Sequence, residues 1–296
     1  SQGLRVVGSL QKPVMVSDVE QLLGCVKKET VCCADLAAAI KSGNLLLNYQ
    51  PKLGRCDDGT WCVGGAEALV RWRHPDLGIL MPGRFIPMAE ESGLIGALTD
   101  AVLLETLQQS ALWSEQGLDL NIAVNIAPQL LTDIEFPDRL SRLLQQYGVP
   151  SSNLTLEITE SAAMKNVDTT MDILTRLRLK GMKLSIDDFG TGYSSMKSLF
   201  CMPFSELKID RAFVLEIASS SEARTIVRSM IQLANTLNIT SCAEGVEDED
   251  VFAFLEKEGC HSMQGFYFCR PVPASEFKQF VIGWQGDGER KVRQIK

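Results

Sequence analysis

The 296 residues carry a formal net charge of −8 and are 45% hydrophobic and 22% charged, a globular composition long enough for one large domain or two small ones. That acidic balance argues against a broad basic surface, so direct DNA binding is not expected, while a small anion neutralised locally by metal or a few basic side chains remains compatible with it. No apolar run approaches the ~18 residues of a membrane span, no secretory signal follows Ser1, and the nine cysteines include no CxxC pair, so the expectation is a cytoplasmic chain with reduced thiols and no membrane contact.

In chain order, Leu4 to Leu10 is strand-like, Gln11-Lys12-Pro13-Val14 follows, and Ser17 caps a helix carrying Val19, Leu22, Leu23 and Val26. A strand, a Lys-Pro step and a closing helix resemble the C-terminal end of a two-component receiver domain. The likeness implies a sensor kinase upstream, acting on a receiver whose phosphoacceptor half is not in these residues; a linker helix is the alternative for residues 1–30. The main domain is expected over residues 31–285 and a polar tail over 286–296.

Ala34 to Lys41 reads as a helix, Leu45 to Pro51 as a strand ended by its proline, Asp57-Asp58-Gly59 as a hairpin turn, and Val63 to Trp72 as the next strand. A short helix around Pro82–Ala89 and a long one from Leu98 to Gln116 precede an alternating run. Its strands are Asn121–Ile126, Leu154–Ile158, the stretch ending at Asp187-Asp188, Glu206–Asp210, Ile239–Glu244 and Met263–Tyr267. Its helices are Pro137–Tyr147, Val167–Lys180, Ser194–Phe200, Glu222–Leu237, Asp250–Glu258 and Ala274–Ile282. Such alternation indicates a parallel sheet covered by helices, and eight units suit a TIM-like (β/α)8 barrel, with an open doubly wound sheet as the competing architecture.

The polar residues favour the barrel. Glu67, Asn125, Glu157, Asp187, Asp188, Lys208, Asp210, Glu244 and Gln264 come from seven strands, mostly at their C-terminal ends, which share one face in a barrel and spread along a line in an open sheet. Asp187 and Asp188 diverge on a straight strand, so they serve one site only if the chain bends, which Gly190 and Gly192 permit; a surface Asp-Asp turn is the alternative. An oxygen-only set of carboxylates and an amide selects Mg²⁺ or Mn²⁺, and the acidic excess suits two ions, a device for phosphodiester hydrolysis. With only His74 and His261 in the chain, an imidazole-built centre is not expected. Lys208 is placed to hold the attacking water or to take its proton, the latter needing a depressed pKa. Arg71, four residues after Glu67, either grips a phosphate oxygen or forms a salt bridge at the rim.

The ordered series Glu67-Ala68-Leu69 with Arg71, Glu157-Ile158-Thr159-Glu160, Asp187-Asp188-Phe189-Gly190-Thr191-Gly192, Leu207-Lys208-Ile209-Asp210, Glu244-Gly245-Val246-Glu247 and Gln264-Gly265 closely resembles the EAL family of cyclic di-GMP phosphodiesterases, over about residues 35–283. The resemblance implies hydrolysis of cyclic di-GMP to 5′-pGpG on a TIM-like barrel with two Mg²⁺ or Mn²⁺ ions, in a homodimer. It implies that Glu67, Asn125, Glu157 and Asp187 bind the first metal, that Asp188 and Asp210 serve the second, and that Lys208 handles the water with Glu244 completing the network. Gln50, Leu69, Arg71 and Gln264 would meet the substrate. Glu160 would tie down the loop that begins at Asp188 and contains Gly190 and Gly192. Glu247 joins these regulatory positions, with helix-start capping or loop bracing as the alternative for both Glu160 and Glu247. The chain departs from the pattern at Ala127, where the family often has serine, with little expected loss because Asn125 is the metal-binding amide. A site tuned to small octahedral ions is expected to be inhibited by Ca²⁺.

Overall fold

The computed structural model of the chain describes residues 31–190 and 201–286. The receiver-like stretch 1–30, the helix expected at Ser194–Phe200, Gly192 and all of the expected tail after Gly286 lie outside the described residues.

The described elements, in order, are α1 (Cys33–Ser42), β1 (Leu45–Arg55), β2 (Trp61–His74), β3 (Gly78–Leu80), α2 (Ile86–Glu91), α3 (Ile95–Glu115), β4 (Asn121–Asn125), α4 (Phe136–Tyr147), β5 (Leu154–Thr159), α5 (Glu160–Met164), α6 (Val167–Leu179), β6 (Lys183–Phe189), β7 (Glu206–Ile209), α7 (Arg211–Leu215), α8 (Ser221–Thr236), β8 (Thr240–Ala243), α9 (Glu249–Lys257), β9 (Ser262–Met263), β10 (Val272–Pro273) and α10 (Ala274–Gly286). The chain divides into two compact units, one of Ser1–Leu46 with Val70–Leu98, the other of Leu47–Leu69 with Thr99–Lys296.

In the first unit, the end of β2 pairs antiparallel with β3, and Trp72 packs edge-on against Phe85 and His74. His74 is a packed residue whose Nδ1 accepts the backbone amides of Asp76 and Leu77.

The second unit is the barrel. Strands run in the order β1–β9–β8–β7–β6–β5–β4–β2, and a β1–β2 pairing closes the ring. From β2 through β9 neighbours are parallel, as the strand–helix alternation requires. β1 runs the other way, antiparallel to β9, because a short turn at Asp57-Asp58-Gly59 returns it directly into β2 with no crossover helix. The expected stop at Pro51 is corrected: β1 continues to Arg55. Its residues 48–49 pair with β10 and 53–54 with β9, so Pro51, which has no N–H, falls in the gap between ladders. The expected last strand shrinks to Ser262–Met263, since the bare Gly265 backbone lies where a Cβ would stand 2.1 Å from the Val246 carbonyl.

Helix α4 shows how the outer layer is held. Phe136, Leu140 and Leu144 recur at helical spacing and are 1% exposed, each burial contributing about 1.5–3 kcal/mol, and Gly148 ends the helix in a left-handed turn. The reduced-thiol expectation is corrected for two cysteines: Cys56 and Cys62 form a disulfide across the β1–β2 hairpin. Cys32, Cys33, Cys201, Cys242, Cys260 and Cys269 are free. No helix among the described residues is long and apolar enough to cross a membrane.

Candidate active site

Alternation along the strands divides two kinds of side chain. Leu156 and Ile158 of β5, Leu184 and Ile186 of β6, and Leu207 and Ile209 of β7 are fully buried. Glu157, Asp187 and Lys208 occupy the intervening positions and meet one another at the C-terminal ends of the parallel strands. Register fixes the neighbours: Asn125 stands beside Glu157, Thr159 beside Asp187, and Lys208 beside Cys242, two residues before Glu244.

Lys208, only 1% exposed, holds the centre. Its ammonium Nζ lies 2.8 Å from Glu157 Oε2, 3.2 Å from Asp187 Oδ1 and 3.8 Å from Glu67 Oε2, and it also pairs with Glu244. Glu67 is pinned on both oxygens: Asn125 Nδ2 donates to Oε1 at 2.8 Å and Gln264 Nε2 donates to Oε2 at 2.7 Å. Gln264 also donates to Glu244 at 3.3 Å. The strands thus bring together Glu67, Asn125, Glu157, Asp187, Lys208, Glu244 and Gln264 from seven places in the chain.

Asp188 lies close enough to Asp187 and Asp210 to feel their charge, and the chain bends at the expected Gly190, φ 94, and two residues earlier as well. Asp188 itself adopts the left-handed region, φ 54, and β6 shifts register against β7 between Ile186 and Phe189. Its backbone amide donates to Asp187 Oδ1 at 3.0 Å. A non-glycine residue in that region costs on the order of 1 kcal/mol and marks a strained position. Asp210 directly follows β7, and its Oδ1 accepts the Ala212 amide at 2.9 Å, capping α7.

The electrostatics show how much negative charge the site holds. Burial pushes the Glu157 carboxyl well up, and Glu67 and Asp187 add to it. Burial and the same two neighbours lift Glu244 to about 7. Asp188 is raised by burial and by Asp187 and Asp210. Burial would also raise Glu67, but Lys208 with the amides of Gln264 and Asn125 outweighs it and holds this carboxyl low. Burial opposes the charge on Lys208, yet Glu157, Glu67, Glu244 and Asp187 outweigh it and hold the amine well above its ordinary range. Without a second cation, then, Lys208 is an ammonium and not a base. It supplies the positive charge for which the carboxylates compete. As these side chains lie, no three His, Cys, Asp or Glu among the described residues are close enough to clasp an ion. Glu157 Oε1 and Gln264 Oε1 are buried and accept no hydrogen bond among the described residues.

The remaining candidates are divided between the two units. Gln50 is buried and donates to the Cys269 carbonyl at 3.3 Å, and Leu69 is half-buried on β2. Arg71 is buried in the other unit, where its guanidinium donates to the Val70 carbonyl at 2.8 Å. Glu160 is 4% exposed, and its Oε2 accepts the Gly190 amide at 2.9 Å, tethering the chain just after β6. Glu247 is exposed and pairs with Arg211 at 2.7 Å, next to Gly245, where a Cβ would strike the Arg211 side chain. Ala127 occupies the residue before a short 3-10 turn at Pro128–Thr132 and offers no side-chain cap.

Sequence reasoning missed a second ion pair inside the barrel, Lys52 Nζ to Glu206 Oε1 at 2.7 Å, with the Ser185 hydroxyl donating to the same oxygen at 2.9 Å. The period of two carried the signal: Lys52 is two residues from Gln50, and Glu206 two from Lys208, each pair on one face of its strand.

The family model described as EAL domain matches residues 34–271. The chain is 43% identical to the bifunctional diguanylate cyclase/cyclic di-GMP phosphodiesterase MucR of Pseudomonas aeruginosa over 243 residues, 82% of this chain and 35% of that protein. It is 32% identical to the cyclic di-GMP phosphodiesterase RocR of the same organism over 293 residues, 95% of this chain and 74% of that one. The chain spans only about a third of the length of most of the curated relatives it matches first. Among solved structures, the PaMucR phosphodiesterase in complex with c-di-GMP superimposes with a TM-score of 0.77 at 43% identity, covering 82% of this chain and 98% of that one.

Proposed function

The chain belongs to the EAL domain family, and from that premise we propose that it hydrolyses cyclic di-GMP to linear 5′-pGpG, using Mg²⁺ or Mn²⁺. The observation that carries the proposal is the buried Lys208 ammonium ringed by Glu67, Glu157, Asp187 and Glu244 at one mouth of the barrel. Relatives named as cyclic di-GMP phosphodiesterases and the likeness to a c-di-GMP complex supply the substrate class.

The donor set fits divalent ions. It is made of oxygens, four carboxyl groups surround its one lysine, and Glu157 Oε1 is buried with no hydrogen-bond partner among the described residues. Glu67, Asn125, Glu157 and Asp187 would hold one ion, and Asp188 and Asp210 the second. Bound there, such ions lower the pKa of a coordinated water and neutralise charge on the phosphate. The chain's own groups do the rest. Lys208 donates to the attacking water and fixes its direction. Glu244 holds Lys208, and Gln264 holds both Glu67 and Glu244. Gln50, Leu69 and Arg71 are assigned to the substrate, while Glu160 steadies the Gly190 end of the loop.

A homodimer, a sensor kinase upstream and a cytoplasmic setting complete the reading. Exposed apolar side chains on the outer layer, Ile134 and Leu179, offer surface for a second copy. Incubation with cyclic di-GMP and Mg²⁺, with product read by chromatography, tests the activity. We expect 5′-pGpG, its loss with EDTA or in Glu67→Ala, and its suppression by added Ca²⁺. Tight binding with no product under Mg²⁺ or Mn²⁺ would replace hydrolysis by sensing.

A further inference from the structure

The barrel has a second opening. A cavity of about 600 Å³ lies among residues at the other ends of the same strands: Gly65 of β2, Asn121 of β4, Thr155 of β5, Lys183 of β6 and Glu206 of β7. Each precedes the catalytic-face residue of its strand, so this cavity and the lysine–carboxylate centre sit at opposite ends. β1 runs in reverse and therefore brings its last residues here, Gly54 and Arg55.

The charge of this cavity opposes that of the chain. The protein carries −8, whereas Lys52, Arg55, Arg178 and Lys183 line the cavity against a single acid, Glu206. Lys52 already neutralises Glu206 at 2.7 Å and Arg55 is paired with Glu256 at 2.8 Å, which leaves Arg178 and Lys183 as the excess positive charge. Arg178 spends one guanidinium nitrogen on the Met182 carbonyl at 3.0 Å and keeps its charge unpaired among the described residues. Lys183 is exposed, and its ammonium has no ion-pair or hydrogen-bond partner among them. His261 turns Nδ1 to the Ser241 hydroxyl at 3.0 Å, which leaves Nε2 for another group. Positive charge lining a concave site concentrates anions, and the volume falls within the roughly 300–1,000 Å³ of small-molecule pockets.

We propose that this cavity is a second ligand site, taking a small organic phosphate of mononucleotide size, with Arg178 and Lys183 holding the phosphoryl oxygens. Lysine meets phosphate as a point charge and arginine as a two-toothed fork, so the pair suits a terminal phosphoryl group better than a diffuse polyanion.

Isothermal titration of the full chain, stripped of metal and dialysed, separates this site from the metal-dependent one. The probes are GMP, inorganic pyrophosphate and uncharged guanosine, at about 50 mM salt. We expect GMP and pyrophosphate to bind and guanosine not to. Binding should weaken at least about tenfold in Lys183→Glu and further in Lys183→Glu/Arg178→Glu, weaken as salt rises, and persist in Glu67→Ala. No binding at millimolar GMP, or equal binding by wild type and Lys183→Glu when circular dichroism shows both folded, overturns the proposal. Neither result touches the hydrolase reading, because no turnover is measured.

Discussion

Removing Lys208 takes away the positive charge that Glu67, Glu157, Asp187 and Glu244 share, so folding and chemistry both register the change, in separable ways. Lys208→Met should cut turnover by roughly 10²–10⁴-fold, the range for a group that manages a proton or its water. In metal-free protein it should also cost about 2–3 kcal/mol, below the full penalty of a broken buried pair because raised carboxyls such as Glu157 can take up protons instead. Denaturant titrations should show part of that loss recovered when Mg²⁺ or Mn²⁺ is added, whereas turnover stays low; recovery of neither would deny that the carboxylates can exchange one cation for another. Asp188 separates backbone from charge in the same manner. Its φ of 54 suits glycine and asparagine better than alanine, so Asp188→Gly should be about 1 kcal/mol more stable than Asp188→Ala. All three substitutions, Asp188→Asn included, should lose activity if the carboxylate serves an ion. An active Asp188→Asn would restrict this residue to shaping the turn.

Strands carry these residues, and β2 meets β4 tightly at Gly65, where a Cβ would stand 2.0 Å from the Asn121 carbonyl. Gly65→Ala therefore forces β2 away from β4 two residues below Glu67, with an overpacking cost of about 1–3 kcal/mol and a fall in kcat measurable by the same chromatographic assay. The hairpin on β1 and β2 gives an independent measure. A seven-residue loop closed by Cys56–Cys62 contributes about 2 kcal/mol in the chain-entropy account, so reduction should lower stability by that amount while leaving the barrel site active. These elements also show what could be read in advance. Polar residues at strand ends from seven segments were legible because a period of two and the shared face of a barrel need only local sequence. The reversal of β1 was legible in the Asp57-Asp58-Gly59 hairpin turn, whereas its run past Pro51 to Arg55 was not, since a proline between two ladders reads as a strand end. The turn at Asp188 itself escaped because a left-handed aspartate looks like any other in sequence, while the one at Gly190, φ 94, was legible from its glycine. The Cys56–Cys62 bond becomes visible only once the Asp57-Asp58-Gly59 turn sets the two cysteines opposite one another.

Across the whole barrel, the interior is charged at two levels, Lys208 with its carboxylates near one end and Lys52 with Glu206 toward the other. The second pair makes the fold itself sensitive to acid, in a direction that can be worked out. Burial alone would raise Glu206, but Lys52 at 2.7 Å and the Ser185 hydroxyl outweigh it, leaving the carboxyl below its ordinary value. A carboxyl depressed in the folded state adds stability above its unfolded pKa of about 4.3, and that stability drains away as pH falls through the folded value. Both side chains are mostly buried, 12% and 13% exposed, and the cavity beside them admits solvent, so the pair's loss should cost about 2 kcal/mol and not the 3–5 of a sealed one. Glu206→Gln keeps the shape and the acceptor oxygen but strands the Lys52 charge. Urea denaturation should then find Glu206→Gln about 2 kcal/mol less stable than wild type at pH 7, with the gap closing below about pH 4 as the native carboxyl takes up its proton. A gap of constant size from pH 7 to pH 3 would mean that packing around Glu206, and not its charge, holds that end of the barrel.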